Sequence, residues 1–182
     1  MMVNRFAILA MAVATAFTAQ SANRSYGPWK LGMSRQEVQA VKEYGPYRPV
    51  SVTGGIETPA GIFDGEKRNV AFVFDANGAV NKIQIWAYEG QSEADALANW
   101  YRVYRYYTKL YVEVESPELG FPPAVDEADF LSRSRSALAS TPPVQPVRLQ
   151  MAPQPMPTDA KVFASFMRRG RVYLIFVNIM EP

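Results

Sequence analysis

Helices are predicted where apolar residues recur every three or four positions behind a capping residue. Ser34 and Glu37 form a capping box ahead of a short apolar stripe, and Gly45-Pro46 ends that helix. From Ser92 to about Tyr111, aromatic and aliphatic side chains fall on one face and charged ones on the other, which is typical of a helix packed on a sheet. A weaker pattern predicts another helix from about Asp126 to Ala139.

Strands are predicted where β-branched and aromatic residues cluster on either side of a turn. Val70–Phe74 and Val80–Tyr88 flank one turn, and Val162–Met167 and Val172–Met180 flank a second. The last of these runs is almost continuously apolar, which indicates a central strand. Together the elements predict an α+β fold, with an antiparallel sheet of about four strands (two hairpins) packed against two or three helices.

The first 22 residues have the pattern of a secretory signal peptide. An apolar run at Phe6–Phe17 follows a positive residue and precedes small residues suited to cleavage. The run is shorter than the roughly 20 residues of a membrane span. The alternative interpretation is that the segment is not cleaved and anchors the protein in the membrane. Cleavage after Ala22 leaves one domain at 23–182, with a Pro-rich loop at 142–157 and no transmembrane anchor. We therefore expect a periplasmic or secreted protein. The two halves of its sequence share no spaced motif that would indicate an internal repeat.

The chain contains neither His nor Cys, which excludes several kinds of chemistry. It has no disulfide, no thiolate nucleophile, no Ser-His-Asp triad and no Cys- or His-based metal site. No Gly-rich phosphate loop opens a helix, so no cofactor is predicted. The net charge of +2, from 19 Lys and Arg against 17 Asp and Glu, does not indicate a nucleic-acid partner.

One stretch of the chain is similar to a known family. The residues that carry the similarity are Gly32, Met33, Ser34 and Val38 at the first helix, then Gly45-Pro46, then Phe72, Phe74 and Gly78 in the first hairpin. Over residues 28–88 they resemble the small outer-membrane lipoprotein A family, which is the accessory E subunit of the β-barrel assembly machine, and the wider β-lactamase-inhibitor-protein-like fold. The resemblance implies non-catalytic protein binding in the cell envelope. The family's lipid-attachment Cys is missing, so its membrane anchoring is not implied.

Two groups of residues, all cations except for one tyrosine, are candidate binding residues. The polar face of the long helix carries one group and the tip of the last hairpin carries the other. They are Arg102, Arg105, Tyr106 and Lys109 on the helix, and Arg168, Arg169 and Arg171 at the tip. An aromatic ring among cations fits a partner protein or a weak contact with an anionic surface. The alternatives are a solvated helix face and a charged turn that keeps an apolar hairpin soluble.

Carboxylates are concentrated between the long helix and the next one. Glu113, Glu115 and Asp126 are the candidates for His-free hydrolysis of a cell-wall glycan, whereas a short strand and a helix start also account for them. We expect instead a non-catalytic protein-binding or scaffold module of the envelope, with an envelope or exported protein as its partner. An inhibitor of an exported enzyme is a further alternative.

Overall fold

Ten strands and three α-helices form the part of the chain that the computed structural model describes, which is residues 23–51, 53–120, 126–142 and 145–182. The strands are β1 (Ser25–Tyr26), β2 (Trp29–Lys30), β3 (Arg48–Val50), β4 (Gly55–Phe63), β5 (Glu66–Phe74), β6 (Val80–Gly90), β7 (Glu113–Glu115), β8 (Val147–Gln154), β9 (Lys161–Arg169) and β10 (Val172–Met180). The helices are α1 (Arg35–Ala40), α2 (Glu93–Leu110) and α3 (Glu127–Ala139), with a 3₁₀ turn at Lys42–Tyr44. The predicted signal peptide at 1–22 lies outside the described residues.

The sheet is twice as large as the sequence predicts. Eight strands form one antiparallel sheet in the order β3-β4-β5-β6-β10-β9-β8-β7, and β1 pairs with β2 in a separate hairpin. The expectation of about four strands in two hairpins is therefore wrong, although both hairpins exist and the fold is an α+β mixture. The predicted central position of β10 is confirmed, because it pairs with β6 on one side and β9 on the other.

Strand β4 forms although its sequence contains turn-forming residues. Gly55 lies so close to β5 that an added Cβ would come within 2.2 Å of the Phe72 carbonyl oxygen, and one on Gly61 would come within 2.2 Å of Val70 Cγ2. The glycines therefore permit the close approach of β4 and β5. A register shift between Thr58 and Gly61 accommodates the intervening Pro59.

Strand β8 lies inside the stretch predicted as a Pro-rich loop. Its residues Val147–Met151 pair with β9, and the residues that follow pair with β7. Pro153 lies opposite Val114 of β7, beyond the last residue that pairs with β9. The missing N–H of proline therefore interrupts no ladder with β9.

All three helices pack against the same face of the sheet. Their start signals are as predicted: Glu37 N donates to Ser34 Oγ while Ser34 N donates to the Glu37 carboxylate, and Ser92 and Asp126 cap α2 and α3. The buried core beneath them includes Trp29, Val38, Phe72, Ile83, Ile85, Leu97, Trp100, Phe130, Phe166 and Ile175. Within the described ranges, no helix is both long enough and apolar enough to cross a membrane.

The strand order contains a repeat that the sequence does not show. Strands β3 to β6 form a four-stranded meander that runs from one edge of the sheet to its centre. Strands β7 to β10 follow the same order from the opposite edge, except that α3 interrupts this second meander between β7 and β8, and a helix precedes each meander. The two meanders meet where β6 pairs with β10, so the sheet has an approximate internal two-fold arrangement.

Candidate functional site

Two of the three predicted cations on α2, Arg102 and Lys109, bind carboxylates of this chain. Arg102 Nη1 donates to Glu66 Oε1 at 2.5 Å, and Lys109 Nζ lies 3.8 Å from Asp64 Oδ1. The hydrogen bond from Arg102 lowers the pKa of Glu66 below its ordinary value. These ion pairs therefore fasten α2 to the turn between β4 and β5.

The aromatic member of that group is also used within the fold. The ring of Tyr106 packs on Phe63 with 4.7 Å between the centroids, and its burial raises the pKa of its phenol. Arg105 is exposed. The polar face of α2 therefore presents one exposed arginine beside groups that already have partners.

The three arginines at the end of the last hairpin do not form one patch. Arg168 is buried and donates to the carbonyl oxygens of Leu138, Thr141 and Pro142, at 3.1, 2.7 and 3.1 Å. Its guanidinium therefore holds the C-terminal end of α3. Arg169 and Arg171 are exposed at the turn.

The candidate carboxylates have structural partners. Glu115 accepts a hydrogen bond of 2.5 Å from Gln154 Nε2 across β7 and β8, and Asp126 caps α3 by accepting from Asp129 N at 2.9 Å. Glu113 is exposed on the same edge strand. Among the residues that the structure describes, no three His, Cys, Asp or Glu side chains are grouped to hold a metal ion.

A different surface emerges from the sheet itself. We call it the open face, meaning the side of the sheet opposite the three helices, where every second residue of β6, β8, β9 and β10 points. Its apolar residues are Trp86, Phe163, Met167, Leu174, Phe176 and Met180, and the polar side chains of Gln84, Ser165 and Asn178 lie among them. The sequence contains a signal for it, because Trp86 follows Lys82 and Gln84 on the face that alternation predicts to be polar.

The centre of the open face is held in a fixed arrangement. The rings of Trp86 and Phe176 meet edge to face with 4.8 Å between their centroids, on neighbouring strands. Beside them, Gln84 Nε2 donates to Asn178 Oδ1 at 3.0 Å, although Asn178 is only 3% exposed. Phe176 is only 8% exposed, so the half-buried Trp86 is the ring of this pair that a partner could contact, at a small cost in side-chain entropy.

Cations surround this centre. Lys82 is half-buried on β6, while Arg148 on β8 and Lys161 on β9 are exposed. Burial, and then the positive charge of Arg148, lower the pKa of Lys82. None of the three lies within ion-pair distance of a carboxylate of the described residues.

Comparison of the chain with family models, with curated proteins and with solved structures found no match. Its function is therefore inferred from its own residues.

Proposed function

We propose that this chain is an exported, non-catalytic protein-binding module of the cell envelope and that it binds its partner through the open face. The observation that carries the proposal is the edge-to-face Trp86–Phe176 pair on the open face, bordered by the half-buried Lys82 and by Arg148 and Lys161, none of which has a carboxylate partner among the described residues. Such an arrangement costs the free protein stability, since a half-buried ammonium is disfavoured both by desolvation and by a neighbouring cation. An anionic partner group removes that cost.

The chemistry of the open face favours an acidic surface of a folded protein. Protein interfaces are enriched in Trp, Phe, Met and Arg at their centre, and a few such residues provide most of the binding energy. The cations around it would pair with Asp or Glu side chains of the partner and set its orientation. A partner carboxylate near Lys82 would also return the pKa of that lysine toward its ordinary value.

The other parts of the proposal have separate support. The apolar run at Phe6–Phe17, followed by small residues, supports export. The structural roles of Glu115 and Asp126 support a non-catalytic protein, because each carboxylate is engaged with a neighbouring residue of its own fold.

The proposal is tested by affinity capture from envelope extracts with two matched double variants. Lys82→Gln with Arg148→Gln removes two cations of the open face. Lys42→Gln with Arg135→Gln removes two exposed cations that lie outside the open face. Wild type and the control double variant should retain one protein stoichiometrically, and the open-face double variant should bind that protein about tenfold more weakly or worse. Its thermal stability should be equal to that of wild type or slightly higher, because a desolvated charge is lost.

Two results would contradict the proposal. Equal retention of the protein by both double variants would place the interface elsewhere on the molecule. Recovery of abundant contaminants alone from wild type would argue against a stoichiometric protein partner.

A further inference from the structure

Strands β5 and β6 separate before either of them ends. Their pairing stops at Val70 and Ile85, although β5 continues to Glu66 along β4 and β6 continues to Gly90 along β10. Where β6 leaves β5, it carries a β-bulge at Ala87, because Trp86 and Tyr88 lie opposite consecutive residues of β10. A bulge bends and twists its strand, which accounts for the divergence.

The divergence opens a cleft in the sheet that α2 closes from the helix side. The cleft has a volume of about 530 Å³, within the range of sites that hold a ligand. Residues 67–69 of β5 and 86–89 of β6 line it, together with Asp95, Ala98, Asn99 and Arg102 of α2. Each strand keeps a partner on its far side and turns its other edge to the cleft, so two strand edges face one another without pairing.

Two buried donors belong to residues that line this cleft. Trp86 Nε1 and Arg68 Nε are buried atoms, and neither has a hydrogen-bond partner among the described residues. The terminal nitrogens of Arg68 are engaged: Nη2 donates to the Glu66 carboxylate and to Asn99 Oδ1, and Nη1 donates to the Lys67 carbonyl oxygen at 3.4 Å. Both free groups can only donate, so the missing partner is an acceptor oxygen.

The charge of the lining argues against a polyanionic ligand. Lys67, Arg68 and Arg102 are balanced in part by Glu89 and Asp95, and Arg102 is already bound to Glu66. The lining therefore offers both donors and acceptors without a large excess of either sign. A peptide backbone likewise presents both, with a carbonyl oxygen and an N–H at every residue.

From the free edges and the unpaired donors together, we propose that the cleft between β5 and β6 binds an extended peptide segment by strand addition. A segment of four residues spans about 13 Å and matches the length over which the two strands are apart. Backbone hydrogen bonds to one or both strand edges would provide affinity, and Arg68 and Trp86 would donate to carbonyl or carboxylate oxygens of the segment. This inference extends the proposed function, since the segment would belong to a protein partner.

The test uses acetylated and amidated random heptapeptides displayed on beads, screened with full-length wild type and with Ala98→Tyr. Ala98 is an exposed residue of α2 that lines the cleft, so a tyrosine there fills the space without disturbing the core. Ala94→Tyr is the matched control, because Ala94 is exposed one turn earlier on α2 and does not line the cleft.

Peptides selected on wild type should bind Ala98→Tyr at least tenfold more weakly and Ala94→Tyr equally well. N-methylation at alternate residues should weaken binding at least tenfold, because strand addition needs backbone N–H groups. Trp86→Phe keeps an aromatic side chain but removes the N–H donor, and should lower affinity about fivefold. Trp29 and Trp100 are almost fully buried, so acrylamide quenching of the half-buried Trp86 should decrease on binding.

The strand-addition proposal is overturned if no heptapeptide distinguishes wild type from Ala98→Tyr, or if N-methylated peptides bind unchanged. It is also overturned if a tetramer of β-1,4-linked N-acetylglucosamine binds instead and Ala98→Tyr blocks it, which would make the cleft a glycan site. None of these results depends on Lys82 or Arg148, so the open face can still bind its partner when the cleft binds no peptide.

Discussion

Neighbouring arginines with the same appearance in sequence have different roles in the fold. Arg168 shares the alternation of Val162, Ala164 and Phe166 along β9, all of which are buried on the helix side of the sheet. Because successive residues of a strand point to opposite faces of the sheet, continuing this alternation to the end of β9 would have separated Arg168 from Arg169 and Arg171. Its donation to three carbonyls depends on where α3 ends, which no local pattern specifies.

Replacement of Arg168 should destabilise the protein without changing its affinity for the partner protein. Arg168→Met leaves three carbonyl oxygens at the end of α3 without their donor, and we expect a loss of about 2–3 kcal/mol in the free energy of unfolding. Arg171→Met is the control and should change stability by less than about 0.5 kcal/mol. Urea unfolding of the two variants gives the comparison. Equal values for them would show that the buried hydrogen bonds are not stabilising.

At the scale of elements, the strongly patterned segments were predictable and the weakly patterned strands were not. Helix α2 and both hairpins follow from apolar periodicity and turn residues. Strand β4 contains Gly55, Pro59 and Gly61, which are usual signs of a turn and act here as points of close approach or register shift. Whether such residues end a strand or fit within it depends on the neighbouring strand, which the local sequence does not reveal.

The aromatic stripe of α2 predicts a loss of stability in alkali. Burial raises the pKa of Tyr107 well above its ordinary value, and raises that of Tyr111, the C-cap of the helix, to about 12. A phenol whose pKa is higher in the folded than in the unfolded state contributes its full stabilisation at pH values below its pKa in the unfolded state, which is near 10. For Tyr111, that stability is lost as pH rises from about 10 to about 12.

Tyr111→Phe tests this linkage, because phenylalanine does not titrate. Between about pH 9 and pH 11.5, wild type should lose more free energy of unfolding than the variant, by about 1 kcal/mol, because partial exposure of Tyr111 reduces the full linkage value. Urea titrations at a series of pH values measure the difference, with each protein referred to its own value near pH 8. Parallel pH curves for the two proteins would show that Tyr111 is not buried as described.

At the scale of the whole molecule, the central feature is the pairing of β6 with β10, which joins two meanders far apart in sequence. That pairing gives a wide sheet with helices on one face, and it brings Trp86 and Phe176 together on the other. The sequence could indicate the alternation within each strand and the apolar Trp86 on a polar face. The strand order, and with it the placing of Lys82, Arg148 and Lys161 on one face, arises only from the long-range contacts.

The most direct test of the account is site-specific photo-crosslinking in envelope preparations. A photoreactive phenylalanine analogue at Gln150 or Met167 probes the open face, and the same analogue at Ser132 or Arg135 probes the outer side of α3. The account predicts one protein adduct, of the same size from both open-face positions, that weakens with Lys82→Gln and Arg148→Gln and is absent from the α3 positions. Adducts from the α3 positions with none from the open face would contradict it.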